Sequence, residues 1–255
     1  MRYLFSAPGL AALEKFAAED PLIAFDFDGT LSPIVADPDR AAIRRPTRAL
    51  LEAFTSRNPC IVISGRGRRD VLQRLEGLPF QEVYGNHGIE PGGRSRDLAR
   101  RVQRWILPLT KRLDALPGVV LEDKRFSLSV HFRNAPRRRR AEYIIRDAAC
   151  RLPGAYLVGG KQVINILPRG AADKGRAVEI HRRRRRFDKL IFVGDDATDE
   201  SVFSLRPHSR YLGIRIGAKR SSQAAFYLRN QQEIDRLLRS LTALRARSGI
   251  RITNP

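Results

Sequence analysis

The feature that most constrains this chain is a set of short apolar runs, Leu22–Phe25, Cys60–Ile63, 190–193 and Tyr211–Ile216, separated by stretches with helical spacing. A strand that is apolar at successive positions, not just at alternate ones, must be covered on both faces. Parallel sheets flanked by crossover helices meet that condition. Residues 46–57, with Leu50, Leu51 and Phe54 on one helical face, follow the first run, and residues 68–75 follow the second. A third apolar segment, Glu82–Tyr84, comes next. The reading is an α/β fold with a Rossmann-like parallel core and helices on both faces.

That rhythm breaks at Pro91-Gly92-Gly93 and resumes after Pro168-Arg169-Gly170. In between lie an amphipathic stretch (98–113), two β-like runs (119–122 and 126–132), a helix (136–151) and two strands (156–158 and 163–166). In the second run Phe126, Leu128, Val130 and Phe132 alternate with Ser127, Ser129 and His131, which predicts a sheet with one solvent-accessible face. Helices over 174–184, 198–205 and 231–244 are expected around the later core strands. The domain expectation is a core of residues 1–93 and 168–255, interrupted by a smaller α+β module of residues 94–167.

Composition enters through charge. Forty-eight Lys and Arg against 27 Asp and Glu give a net charge of +21, and Arg supplies 41 of the 48. Runs such as Arg137-Arg138-Arg139-Arg140 could neutralise a polyanion. No nucleic-acid motif or interleaved aromatics accompany them, so the expectation is a solvated basic face with no specific nucleic-acid partner. No apolar run approaches the ~20 residues of a membrane span, and no secretory signal is visible. Cys60 and Cys150 sit in no metal-type spacing. These features predict a cytoplasmic monomer that contacts neither membrane nor nucleic acid.

The chemistry concentrates at strand ends, where open α/β sheets bind ligands. Asp26-Phe27-Asp28-Gly29-Thr30-Leu31 directly follows the first strand, placing two carboxylates across a turn. One can act as nucleophile and the other as proton donor, with Thr30 offering a hydroxyl to a phosphate. Asp-Gly is also a common turn pair in its own right. A second acidic cluster, Gly194-Asp195-Asp196-Ala197-Thr198-Asp199-Glu200, follows the 190–193 strand. Helix capping would explain Asp199 and Glu200 but not Asp195 and Asp196. Carboxylates so crowded repel one another unless a cation neutralises them, and hard oxygen ligands suit Mg²⁺. Ser64-Gly65-Arg66 and Lys174 supply the hydroxyl and positive charge that a transferring phosphoryl group needs.

These four elements, in this order, resemble the haloacid dehalogenase-like phosphatases. DFDGTLSPIVADPD (26–39), ISGR (63–66), GNHG (85–88), EDK (122–124), SVHFR (129–133) and GDDATDE (194–200) are similar to the trehalose-6-phosphate phosphatase family within it. The resemblance implies that the inserted module is a cap supplying sugar specificity, and that the substrate is a small-molecule sugar phosphate. It assigns Asp26 as nucleophile and Asp28 as the acid that protonates the leaving oxygen and then activates water. Mg²⁺ would be held by Asp26, the backbone carbonyl of Asp28 and Asp195, with Asp196 a further ligand and Asp199 in an outer or alternative role. Ser64 and Lys174, with Gly65 and Arg66, would hold the phosphate. On the cap, Glu122, Lys124, His131, Arg133 and Lys161 match positions near the sugar. His131 and Arg133 could equally occupy a solvated sheet face, and His87 is either a substrate contact or a turn residue.

One departure bears on the substrate. Gly160-Lys161-Gln162-Val163-Ile164-Asn165-Ile166-Leu167-Pro168 carries Asn165 where the family has a glutamate that contacts a glucose hydroxyl. An uncharged amide makes a weaker hydrogen bond than a carboxylate. Three readings follow: Mg²⁺-dependent hydrolysis of trehalose 6-phosphate, the same chemistry on another sugar or glycoside phosphate, and a nonenzymatic polyanion binder that retains the fold.

Overall fold

A computed structural model describes residues 1–35, 37–92, 95–160 and 162–247. In chain order the elements are β1 (Arg2–Tyr3), α1 (Ala7–Ala17), β2 (Leu22–Phe25), α2 (Arg45–Thr55), β3 (Cys60–Ile63), α3 (Arg68–Leu75) and β4 (Glu82–Tyr84). Then come α4 (Ser95–Leu113), β5 (Val120–Asp123), β6 (Leu128–His131), α5 (Arg138–Cys150), β7 (Ala155–Gly160) and β8 (Val163–Pro168). The chain continues with α6 (Lys174–Arg184), β9 (Leu190–Gly194), α7 (Glu200–Phe203), β10 (Tyr211–Ile216), β11 (Phe226–Leu228) and α8 (Ile234–Arg247).

Two sheets result. The larger has seven strands in the order β1-β11-β10-β9-β2-β3-β4, with every pairing parallel. Its central strands divide their side chains by alternation. Ile23, Phe25, Val62 and Val193 enter one core with Leu13, Phe54, Val71 and Leu238. Leu22, Ala24, Ile61 and Phe192 enter another with Val178 and Phe203. Both faces are therefore covered by helices, as the apolar runs require.

The smaller sheet is antiparallel, ordered β5-β6-β8-β7. One face packs Leu128, Val130, Ile164 and Ile166 against Trp105 and Leu109 of α4 and Ile145 of α5. The other face departs from expectation: Ser127 and Ser129 are fully buried rather than solvated. That face lies over the ends of the large sheet's strands, and both hydroxyls are occupied, Ser127 by Asn86 and Ser129 by Asn165. Between the sheets a small apolar cluster joins Ile89 to Phe126 and Leu167. No helix among the described residues is long and apolar enough to cross a membrane.

Candidate active site

Parallel pairing of β2 with β9 sets Phe25 opposite Val193, and Asp26 N donates to the Val193 carbonyl at 2.9 Å. The two acidic segments thus leave the sheet side by side. Asp26, Asp195 and Asp199 each present an oxygen within 4.8 Å of the others, and all three are buried. Gly29 makes this approach possible. It has φ +82°, and a Cβ there would lie 2.3 Å from Asp195 Oδ2, so any side chain would displace the carboxylate.

Lys174, at the start of α6 and 2 % exposed, donates Nζ to Asp26 Oδ1 and to Asp199 Oδ1, both at 2.7 Å. Asp199 Oδ2 accepts from the backbone N–H groups of Asp195 and Asp196 at 2.8 and 2.9 Å. Both oxygens of Asp199 are therefore engaged in shaping the loop, which leaves Asp26 and Asp195 better placed to hold a cation. Asp196 falls outside the buried triad, with its Oδ2 beside Gly160 of the smaller sheet. Three buried carboxylates cluster here and two of them share one ammonium, so a divalent cation fits the charge and the oxygen-only donor set. Burial pushes the Asp26 carboxyl well above the ordinary carboxylate range, and Asp199 and Asp195 push the same way against Lys174. Burial alone would lower Lys174, but Asp199 and Asp26 outweigh it and hold the ammonium charged.

A cavity of ≈ 990 Å³ opens above this triad, between the strand ends of the large sheet and the smaller sheet. Asp26, Asp28, Gly65, Arg66, His87 and Lys174 line it from below. Glu122, Lys124, His131, Arg133 and Asn165 line it from above, so the positions predicted for phosphate and sugar share one space. Thr30 and Ser64 do not line it. Both are fully buried, and Ser64 Oγ accepts from Arg66 N at 3.1 Å. Lys161 lies outside the described residues.

The upper wall is a hydrogen-bonded set in which Glu122 stays exposed and His131 half-buried. Glu122 Oε2 sits 2.8 Å from His131 Nε2 and 3.5 Å from Lys124 Nζ. Burial would raise the Glu122 carboxyl, but His131 and Lys124 hold it below its ordinary value. Burial lowers Lys124 despite Glu122 and Asp28. Arg133 Nη1 donates to the Val35 carbonyl at 3.1 Å, tying the smaller sheet to the loop after Asp26. Ser129 Oγ donates to Asn165 Oδ1 at 2.7 Å, so the amide's NH₂ end is what Asn165 offers to the cavity.

His87 adopts φ 59°, packs on Gly65 and is 5 % exposed. Neither ring nitrogen has a partner among the described residues. Burial, with Lys174 and Lys124 nearby, lowers its pKa far enough to keep the ring neutral. Sequence reasoning missed Asn86 and Ser127, which bond across the joint between the sheets. It also missed Arg215 of β10, whose guanidinium donates to the backbone carbonyls of Asp195 and Asp196. Only the GNHG motif offered a signal, because consecutive Asn-His-Gly suits left-handed backbone.

Comparison with known proteins fits this geometry. The sequence model of the trehalose-phosphatase family matches residues 24–232. Trehalose-phosphate phosphatase of Mycobacterium tuberculosis is 36% identical over 258 aligned residues, covering 92% of this chain and 65% of that protein. The chain thus spans just under two thirds of the length of that relative. Among solved structures, a trehalose-6-phosphate phosphatase related protein superposes with TM-score 0.70 at 24% identity, covering 89% of this chain and 99% of its own. The C-terminal domain of Candida albicans trehalose-6-phosphate phosphatase gives TM-score 0.72 at 20% identity, covering 96% and 98%. At those identities the structures attest the fold, an α/β core with an added antiparallel sheet. The family match spans both acidic segments, Lys174 and every strand of the smaller sheet, and the chain belongs to the trehalose-phosphatase family.

Proposed function

We propose that this chain hydrolyses trehalose 6-phosphate to trehalose and phosphate through an aspartyl-phosphate on Asp26, with Mg²⁺ as cofactor. The observation that carries the reading is the buried Asp26–Asp195–Asp199 triad, bridged by Lys174 between Asp26 and Asp199, opening onto a cavity of ≈ 990 Å³ whose lining includes Arg66, Glu122, Lys124 and Asn165. Asp26, Asp195 and the Asp28 carbonyl would hold Mg²⁺, which when bound offsets the negative charge of nucleophile and phosphoryl group.

Asp26 attacks phosphorus as the P–O bond to the sugar breaks, and Asp28 gives the departing oxygen its proton. Asp28 then takes a proton from water, whose oxygen attacks the aspartyl-phosphate and releases phosphate. Lys174 opposes the burial that favours the protonated Asp26 carboxyl and screens the nucleophile from the phosphate dianion. Residues 94–167 act as a cap, hinged near Pro91 and Arg169, that brings Glu122, Lys124 and Asn165 onto the sugar and excludes water from Asp26. We read the protein as a cytoplasmic monomer acting on a small molecule.

Phosphate release from trehalose 6-phosphate tests this directly. Activity should require Mg²⁺, vanish with EDTA, and fall at least ~10³-fold in Asp26→Asn, as expected for a removed nucleophile. Undiminished release in metal-stripped protein, or a fully active Asp26→Asn variant, overturns the reading. A second reading, another sugar phosphate, is favoured by Asn165 alone. A substrate panel at fixed Mg²⁺ separates the two.

A further inference from the structure

Asn86 closes a ring of hydrogen bonds between the loop proposed to hold the phosphate and the hairpin that carries Lys124. Its backbone N–H donates to the Arg66 carbonyl at 2.7 Å, and the next N–H, of His87, donates to the Ser64 carbonyl at 2.9 Å. Its side chain reaches the other sheet: Nδ2 donates to the Lys124 carbonyl at 3.1 Å, and Oδ1 accepts from Ser127 Oγ at 2.8 Å. The ring closes when Lys124 Nζ donates to the Gly65 carbonyl at 3.2 Å. Nδ2 also donates to Glu90 Oε2 at 2.6 Å, and that carboxylate accepts from Arg68 N at 2.9 Å.

Every polar atom of the Asn86 side chain is used. Asn86 is 1 % exposed and Ser127 is fully buried. A backbone at φ 49° is one that Asn tolerates better than most residues. Packing alone would not need an amide here. An apolar residue of similar size would fill the space but leave the buried Ser127 hydroxyl and the Lys124 carbonyl without the partner that Asn86 gives them. The amide instead holds the Lys124 and Ser127 ends of the turn between β5 and β6. Lys124 thereby keeps its ammonium over Gly65, at the border between the phosphate and sugar halves of the cavity.

We propose that Asn86 is a positioning residue for the sugar-phosphate reaction: it fixes the β5–β6 hairpin on the Ser64–Arg66 loop and so sets where Lys124 meets the substrate. The proposal deepens the phosphatase reading, since Lys124 has a substrate to meet only if that reading holds. Asn86→Gly removes the side chain while permitting the left-handed backbone. Its expected effect is a fall of about tenfold or more in the ratio of kcat/KM for trehalose 6-phosphate to that for a simple aryl phosphate. If Asn86 acts through Lys124, the Asn86→Gly/Lys124→Ala double variant should show a ratio within about twofold of Lys124→Ala alone. Losses that multiply, or a ratio that stays at the parent value, overturn the proposal.

Two further measurements keep it testable. Ser127→Ala removes one hydrogen bond of the ring, so if Asn86→Gly does not fold this variant should still lower the same ratio about threefold. An unchanged ratio counts against the ring. Amide hydrogen exchange reads the link without any substrate. Residues 120–131 should exchange faster in either variant than in the parent, while α6 does not. Unaltered protection of the hairpin overturns the positioning role. A protein inert on trehalose 6-phosphate whose hairpin is loosened in this way would instead sink the trehalose reading and leave the link standing.

Discussion

Arg66 grips Asp28 with two parallel hydrogen bonds, Nε to Oδ2 at 2.7 Å and Nη2 to Oδ1 at 2.8 Å. The remaining nitrogen, Nη1, donates to Asp70 Oδ2 at 2.9 Å, and Arg74 holds the other oxygen of Asp70 at 2.8 Å. The proposed acid is therefore aimed by a guanidinium that is itself braced on α3. The sequence groups Arg66 with the proposed phosphate loop, and the structure adds its fork on Asp28.

Arg66→Lys keeps the charge and loses the fork, which a single ammonium cannot reproduce. The expected result is a loss of about tenfold or more in kcat for sugar phosphates, whose leaving oxygen needs a proton. Aryl phosphates, with better leaving groups, should lose less. Log kcat plotted against leaving-group pKa checks this, and the variant should give the steeper line. Parallel lines would show that Arg66 does not act through Asp28.

Lys174 joins two carboxylates of the acidic triad, donating to Asp26 and to Asp199. Breaking a buried ion pair by removing one partner costs about 3–5 kcal/mol, because the other charge stays buried. Lys174→Met should therefore melt well below the parent in EDTA. Mg²⁺ binds the folded form and neutralises the same carboxylates, so it should raise the variant's Tm more than the parent's. Thermal melts with and without Mg²⁺ decide the point. Equal shifts in both proteins would place the ion away from the triad.

Much of this architecture is legible in the sequence where apolar runs lie between Gly, Pro and charged residues. α3, β4, α6 and β10 begin and end where the spacing puts them. β1 and β11, with two and three residues, are too short to show a period, and α1 is weakly patterned, so that edge of the sheet is invisible beforehand. The stretch expected as one helix over 198–205 is a 3₁₀ turn leading into the short α7, because Asp199 turns back onto the loop. Alternation correctly groups Ser127 with Ser129. It says which residues share a face and not what covers that face, so their burial had to come from the structure. The carboxylates were legible because they cluster along the chain. Asn86 was not, because its partners Lys124 and Ser127 lie far away in sequence and no spacing announces them.

His181 predicts an acid limb of stability. The ring is buried on α6, Nδ1 lies 3.0 Å from the Tyr84 hydroxyl, and the two rings meet edge to face. Burial, then the charges of Arg185 and Arg184, push its pKa down to about 4 from 6.5. The fold thus favours the neutral ring. The stability this contributes is complete above pH 6.5 and is lost as pH falls from there to about 4. His181→Phe keeps an aromatic ring against Tyr84 without the titration. The difference in unfolding free energy between parent and variant, measured in urea from pH 7.5 to 4.5, should shift against the parent as pH falls. A difference independent of pH would refute the assignment.

Asn165 bears on which sugar the proposed reaction would take. Its carbonyl end is taken by Ser129, so the position offers a donor to the cavity where the family's glutamate would offer an acceptor. A glutamate here would also bring a second negative charge toward Asp196, whose carboxylate borders the same Gly160. Ser129 and Asn165 face each other in the β6–β8 register, so the amide is held firmly and its NH₂ has one direction to point. Under the proposed reading, a sugar hydroxyl meeting Asn165 would have to accept. Asn165→Asp keeps the size, retains an acceptor for Ser129 and removes the donor. It should lower kcat/KM for the preferred sugar phosphate about fivefold to tenfold, the scale of one hydrogen bond at ~1–1.5 kcal/mol. Trehalose 6-phosphate, sucrose 6-phosphate and glucose 6-phosphate, tested on parent and variant, show which substrate suffers. The largest loss should fall on trehalose 6-phosphate if that is the sugar this wall fits. A gain on trehalose 6-phosphate, with the largest loss on another member of the panel, would assign the cavity to that other sugar.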